Sequence, residues 1–170
     1  DSSLTDEFTV SAWVYPHADP NTEQHYTGYK ALVSKGQNYQ LKLNNGKVYW
    51  WWGGSGRELQ SDTQLPLNSW THVAITYENG VQKLYLNGEL DTSHNNSDSL
   101  NTSAERFYIG AELDSGGNLV SDRDFDGLLD EVRIYEVSQS QAEIQADMAT
   151  LHACNWLDHI QVTHAGSGVA

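Results

Sequence analysis

An aromatic run, Tyr49 to Trp52, contains the side chains in this chain that are best suited to holding a ligand. Alternation along a β-strand places Val48, Trp50 and Trp52 on one face and Tyr49 and Trp51 on the other. We expect the first set, Trp50 included, to fill a core. The second set must then leave that core, so its rings are candidates for binding.

Two polar residues of the preceding predicted strand, Gln40 and Lys42, are expected to share the outward face with Tyr49 and Trp51. Aromatic rings beside hydrogen-bonding groups suit sugars, whose C–H faces stack on the rings while their hydroxyl groups are hydrogen-bonded. We therefore predict that Tyr49 and Trp51 stack a sugar ring and that Gln40 and Lys42 bind its hydroxyls. The alternative is that a loop, for which the polar segment 17–28 is a candidate, covers Trp51.

A second group of candidates is acidic. Asp122, Asp124 and Asp126 alternate in a predicted loop and precede Gly127, as in the first half of an EF-hand. The twelfth position of that loop is Arg133, where an EF-hand needs a bidentate glutamate, so an EF-hand is excluded. Carboxylates at alternate positions can still converge on one hard cation, and calcium is the expected ion.

Charge excludes other classes of ligand. The net charge is −14, from 23 acidic and 9 basic residues, whereas nucleic-acid binding requires a basic surface. Such acidity suits a secreted or surface protein.

The seven histidines form no metal-ligand pair, so a zinc site is not expected. Cys154 is the single cysteine and has no disulfide partner within the chain.

A hairpin between residues 65 and 91 is the strongest structural pattern. Val73, Ile75 and Tyr77 alternate with polar or small residues, as do Leu84 and Leu86 after the turn. Both turns contain an Asn-Gly pair, which adopts the positive φ angles of tight hairpins. The rest of the chain is expected to pack on this hairpin.

Other elements follow from the same reasoning. Residues 91–104 are predicted to form a polar loop, and Ser138 is predicted to cap a short helix that ends near Met148. In the strand that follows the acidic loop, Leu128, Val132 and Ile134 are expected to face the core. Further strands are predicted at 8–16, 30–35, 38–43, 47–52, 57–60, 106–111 and 156–164.

The fold class predicted from these elements is an all-β antiparallel sandwich with one short C-terminal helix. A chain of 170 residues with 38% apolar content can bury one sizeable core. We expect one domain over residues 1–150, with residues 151–170 as an extension or the start of another domain. No apolar run is long enough to span a membrane.

Three segments together resemble one family. They are residues 8–14, residues 68–77 with Leu84-Tyr-Leu-Asn-Gly, and Phe125-Asp-Gly-Leu-Leu-Asp-Glu-Val-Arg-Ile-Tyr. In this order they resemble the laminin G-like, concanavalin A-like jelly roll. The resemblance implies a calcium ion at the sandwich rim, with Asp130 as a further ligand.

The same resemblance raises the possibility of an enzyme, because retaining glucanases of this fold use two glutamates on one strand. Glu89 and Asp91 begin that pattern, but His94 or a neighbouring polar residue occupies the second glutamate position. Catalysis is therefore not expected.

The tail from Ala153 resembles the joint that follows this module in biogenesis proteins of mannose-sensitive haemagglutinin type IV pili. That resemblance implies a partner for Cys154 beyond residue 170. It also implies a location at the surface or in the periplasm of a Gram-negative bacterium, with pilus proteins as partners.

The sequence thus favours a noncatalytic, extracellular module that binds carbohydrate or a surface glycan, is stabilised by calcium and serves adhesion. A structural spacer or protein-interaction domain of a pilus is the second hypothesis. A glycan-cleaving enzyme is the third.

Overall fold

The computed structural model describes residues 7–36, 38–52, 56–96, 104, 106–114 and 116–151. Two antiparallel five-stranded sheets face each other, as the sequence predicts. The first sheet has the order β10-β1-β6-β7-β8. Its strands are β1 (Phe8–Pro16), β6 (Thr71–Glu78), β7 (Val81–Leu86), β8 (Glu89–Asn95) and β10 (Gly127–Tyr135).

The second sheet has the order β5-β4-β3-β2-β9, and the core lies between it and the first sheet. Phe8, Trp50 and Trp52 are fully buried at the centre of this core, so the inward prediction for Trp50 is confirmed. The strands of this sheet are β2 (Tyr29–Lys35), β3 (Tyr39–Asn44), β4 (Lys47–Trp51), β5 (Glu58–Gln64) and β9 (Tyr108–Ile109).

The central hairpin forms as predicted. β6 pairs with β7 and β7 with β8, and the Asn-Gly turn between each pair has a positive φ at both residues: 49° and 79° at Asn79-Gly80, and 50° and 76° at Asn87-Gly88. The prediction of a loop over 91–104 is wrong for its first part, because β8 continues to Asn95. Its residues are polar and lie at a sheet edge, so no apolar alternation marks them.

A β-bulge corrects the prediction for β10. Ser11 pairs with Arg133 and Trp13 with Asp130, so one residue of β1 opposes two residues of β10, and Glu131 takes a φ of 47°. The extra residue breaks the alternation. Val132 and Ile134 pack against the core as predicted, whereas Leu128 is 49% exposed and Leu129 takes the inward place.

The predicted strand over 106–111 is reduced to the two residues of β9, and Ile109 is exposed at the sheet edge. The helix α1 spans Gln141–Leu151. Its capping residue is Ser140 rather than Ser138: the Ser140 N–H donates to Glu143 Oε2 at 2.7 Å, and the Glu143 N–H donates to Ser140 Oγ at 3.4 Å.

Ile144 of this helix packs with Ala74 and Tyr85 on the outer face of the first sheet. Within the described ranges, no helix is long and apolar enough to cross a lipid bilayer. The predicted strand at 156–164 and Cys154 lie outside the described residues.

Candidate functional site

The four residues predicted to bind a sugar are neighbours in the second sheet. Gln40 of β3 pairs with Trp51 of β4, and Lys42 pairs with Tyr49. All four lie on the outer face, because Leu41, Leu43, Val48 and Trp50 point into the core. The sequence pattern therefore places the four side chains on one surface, and the structure agrees.

The two polar side chains of this set are covered. Gln40 and Lys42 are both buried; Gln40 Nε2 donates to the Gly36 carbonyl at 3.1 Å, and Lys42 Nζ forms an ion pair with Glu112 Oε2 at 2.7 Å. The sequence predicts that these two groups bind sugar hydroxyls on an exposed face of the sheet. In the structure their polar ends are already engaged inside the protein and do not face an open surface.

The covering element consists of residues 110–114 and 116–123, which follow β9. Ser34 Oγ donates to the Ala111 carbonyl at 2.9 Å, and the Ala31 N–H donates to the Arg123 carbonyl at 2.7 Å, so the segment is fixed to the β2 side of the sheet. The loop 17–28, which the sequence offers as a cover for Trp51, makes its contacts elsewhere. Its His25 Nε2 and the Leu65 carbonyl are 2.8 Å apart, at one end of the sandwich.

A charged cluster joins this segment to β3. Glu112 joins Lys42 to Arg123, whose Nη1 lies 2.8 Å from Glu112 Oε1. The Lys42 and Glu112 side chains are only 5% and 7% exposed, whereas that of Arg123 is 36% exposed. Burial lowers the pKa of Lys42, and Glu112 partly opposes that shift. The cluster thus fixes the wall of the site and leaves one guanidinium facing solvent.

Aromatic rings extend from this cluster toward the open edge of the sheet. The Tyr29 ring lies 5.2 Å from Lys42 Nζ and 5.5 Å from the Arg123 guanidinium, and its centroid is 5.1 Å from that of Tyr49. Burial raises the pKa of the Tyr49 hydroxyl, which therefore stays a hydrogen-bond donor at physiological pH.

The open side of the site is strand β5. Glu58 pairs with Trp51 and Gln60 with Tyr49, and Gln60 is exposed. Both Tyr49 and Trp51 are half-buried, so part of each ring reaches solvent. We call Tyr29, Tyr49 and Trp51 the aromatic platform; Arg123 borders it on one side and Glu58 and Gln60 on the other.

The four aspartates predicted to bind calcium are not brought together. Asp126 Oδ1 lies 2.8 Å from His17 Nδ1, and its Oδ2 accepts the Tyr26 hydroxyl at 2.6 Å. Asp130 Oδ1 accepts the N–H of Glu131 at 2.8 Å, whereas Asp122 and Asp124 are exposed. Among the described residues no three His, Cys, Asp or Glu side chains converge as a metal site. Calcium binding at these aspartates stays a prediction.

Sequence reasoning missed five contributors, namely Tyr29, Glu58, Gln60, Glu112 and Arg123. Tyr29 begins β2, and only the pairing of β2 with β3 brings it near Tyr49. Glu112 and Arg123 come from a segment that lies some 70 to 80 residues further along the chain than Lys42 of β3. No local pattern relates that segment to β3, although an isolated lysine on a predicted strand could have prompted a search for an acidic partner.

Residues 1–145 match the family model of the concanavalin A-like lectin/glucanases superfamily. The chain belongs to this superfamily. No curated protein sequence is significantly similar to it. The resemblance given by the three sequence segments is thereby confirmed for the fold family.

Solved structures agree with this fold. A candidate carbohydrate-binding protein from Bacteroides ovatus aligns with a TM-score of 0.66 and 20% identity, over 82% of this chain and 40% of that one. The binding domain of Paraclostridial Mosquitocidal Protein 1 aligns with a TM-score of 0.68 and 17% identity, over 89% of this chain and 39% of that one. This chain therefore spans about two fifths of the length of each of these structures.

A third structure has a higher sequence identity. It is domain 4 of AbnA, an extracellular arabinanase from Geobacillus stearothermophilus, in complex with arabinotriose. The identity is 28% and the TM-score 0.62, over 84% of this chain and 66% of that chain.

Proposed function

We propose that this protein is a noncatalytic, extracellular carbohydrate-binding module and that the aromatic platform is its sugar site. The observation behind the proposal is that Tyr49 and Trp51 present partly exposed rings on one sheet face, beside Glu58, Gln60 and Arg123. Rings stack against the C–H faces of sugars, and carboxylate, amide and guanidinium groups bind hydroxyls. The relative solved with arabinotriose makes an oligosaccharide the leading ligand class.

A binding role is favoured over catalysis because the carboxylates of the glucanase-like pattern are used in structural contacts. Glu89 accepts hydrogen bonds from Gln141 and Gln145 of α1, at 2.9 and 3.0 Å. Asp91 accepts a backbone N–H of β5, that of Asp62, at 2.6 Å. Near the platform, Glu112 is held by two cations and is not available as a nucleophile or acid.

The test is oligosaccharide binding measured by calorimetry, with arabinotriose as the first probe and a glycan array for breadth. We expect Trp51→Ala and Tyr49→Ala each to weaken binding by about tenfold, because each removes a stacking surface. Val137→Ala is the matched control, since Val137 is exposed and follows β10, which belongs to the other sheet. A wild-type protein that is folded and binds no glycan would overturn the proposal, as would glycan binding that survives both platform substitutions.

Adhesion at a Gram-negative surface, pilus proteins as partners and calcium as a stabilising ion stay finer predictions. Calcium can be examined in the same assay: binding that weakens in chelator and returns with added calcium would support it. A spacer or protein-interaction role is the second hypothesis, and the surface described next is the observation that favours it.

A further inference from the structure

A second aromatic surface lies on the outer face of the first sheet. Leu128 of β10 pairs with Tyr15 of β1, and Trp70 immediately precedes Thr71, which pairs with Val14. The three side chains therefore form a row across neighbouring strands. The Tyr15 and Trp70 ring centroids are 5.4 Å apart at an interplanar angle of 61°. We call Leu128, Tyr15 and Trp70 the outer aromatic row.

This row is unusually exposed. Trp70 is 40% and Leu128 49% exposed, and they are two of the six large exposed hydrophobic residues in the described part of the chain. On the same face, the helix α1 packs against Ala74 and Tyr85. In the described part of the chain, the hydrophobic cluster formed by this helix includes no residue of the row. A contiguous exposed apolar surface of this kind is typical of an interaction site.

The row is held firmly. The Asn68 N–H donates to the Pro16 carbonyl at 2.8 Å, which fixes the turn before Trp70 to the end of β1. On the other side, the His17 ring packs edge-on against Tyr15 at 5.7 Å. A pre-ordered pair of aromatic rings loses little conformational entropy when a partner binds.

The charged groups around the row select a cationic occupant. Asp130 pairs with Trp13, two residues along each strand from the pair of Leu128 and Tyr15. Asp126 contacts His17, which packs against Tyr15. Hydrogen bonds from Tyr26 and then His17 lower the pKa of Asp126, which is therefore ionised at neutral pH. Arg133, a basic residue on this face, is paired with acidic groups, since its guanidinium lies 3.1 Å from Glu131 Oε2 and 3.8 Å from Asp147 Oδ2. Lys83 is on this face too, but it pairs with Thr76 opposite Thr9, toward the other end of β1 from Tyr15.

We propose that the outer aromatic row is a docking surface for a basic segment of a partner protein. An arginine or lysine side chain of that segment would lie over Trp70 and Tyr15, with Asp126 and Asp130 as counter-charges. Aromatic faces attract cations, and arginine binds aromatic rings more often than lysine does. Because this surface and the aromatic platform lie on different sheets, the inference does not depend on sugar binding.

The test uses a short arginine-rich peptide as the probe, with a peptide of the same length in which citrulline replaces arginine as the neutral control. Binding is followed by amide and indole NMR shifts of the intact chain. We expect the arginine peptide to shift the Trp70 indole signal and leave that of Trp51 in place. Affinity should fall as salt rises, because the charge pairs are exposed.

Variants then locate the site. Trp70→Ala should weaken peptide binding by about three- to fivefold, and Asp126→Asn and Asp130→Asn by about two- to threefold each. Leu119→Ala serves as the control, because Leu119 is exposed and lies in the segment that packs on the second sheet. Equal binding of the citrulline peptide, shifts spread evenly over the acidic surface, or unchanged affinity in folded Trp70→Ala would each overturn the proposal. A neutral oligosaccharide that shifts Trp70 more than the peptide does would also overturn it.

Discussion

Removal of Glu112 should be among the most damaging single changes at the aromatic platform. Glu112→Gln keeps the side-chain volume but removes the charge that neutralises Lys42, whose side chain is 5% exposed. Breaking a buried ion pair at one partner typically costs about 3–5 kcal/mol, because the other charge stays in a poorly solvated position. We expect a loss in that range for Glu112→Gln.

Removal of Lys42 should lower the free energy of unfolding less than removal of Glu112 does. In Lys42→Met, the carboxylate of Glu112 keeps its 2.8 Å contact with Arg123, which solvent also reaches. The expected loss is that of one charged hydrogen bond, about 1.5–3 kcal/mol. The double variant, which leaves no unpaired charge on either of these two residues, should be more stable than Glu112→Gln alone.

The pH dependence of the stability of Glu112→Gln follows from the lowered pKa of Lys42. Between the folded-state pKa and the unfolded value of 10.5, the unfolded chain binds more protons, so stability rises with pH. Without Glu112, which opposes the shift, that pKa falls further. The stability gap between Glu112→Gln and wild type should therefore narrow as pH rises toward 10.

Urea unfolding of the four proteins measures these differences. With a slope of about 2 kcal/mol per molar, Glu112→Gln should lower the urea midpoint by about 1.5–2.5 M. The reasoning is refuted if Lys42→Met is as damaging as Glu112→Gln, or if the double variant is no more stable than Glu112→Gln.

Two further predictions concern the rest of the sandwich. Burial lowers the pKa of His72 to about 4, so the unfolded chain binds more protons below the ordinary value of 6.5 and stability falls by about 3 kcal/mol as pH drops toward 4. His72→Leu should lose less than wild type between pH 6.5 and 4 in urea unfolding; an identical loss would contradict the assignment. Gly46 and Gly28 both have a positive φ, but a Cβ at Gly46 would overlap the His25 ring, whereas one at Gly28 would meet nothing within 4 Å. Gly28→Ala should therefore cost about 1–2 kcal/mol and Gly46→Ala about 1–3 kcal/mol more, and equal urea midpoints would be the contrary result.

Local patterns accounted for most of the sandwich. Alternation identified β1, β3, β4 and β6, because one face of each strand must be apolar to meet the core. The Asn-Gly turns fixed the hairpin register, since the required positive φ is a property of the two turn residues themselves. The errors arose where alternation is broken or missing: at the bulge near Glu131 and in the polar edge strand β8.

The same division holds at the candidate site. The sequence by itself determined that Tyr49 and Trp51 share a face with Gln40 and Lys42, because strand period and register depend on neighbouring residues. Only the tertiary structure decided that Gln40 and Lys42 are covered, since the covering segment with Glu112 comes from a distant part of the chain. It also decided that Leu128, Tyr15 and Trp70 form one row, because β10, β1 and the residue before β6 had to be aligned first.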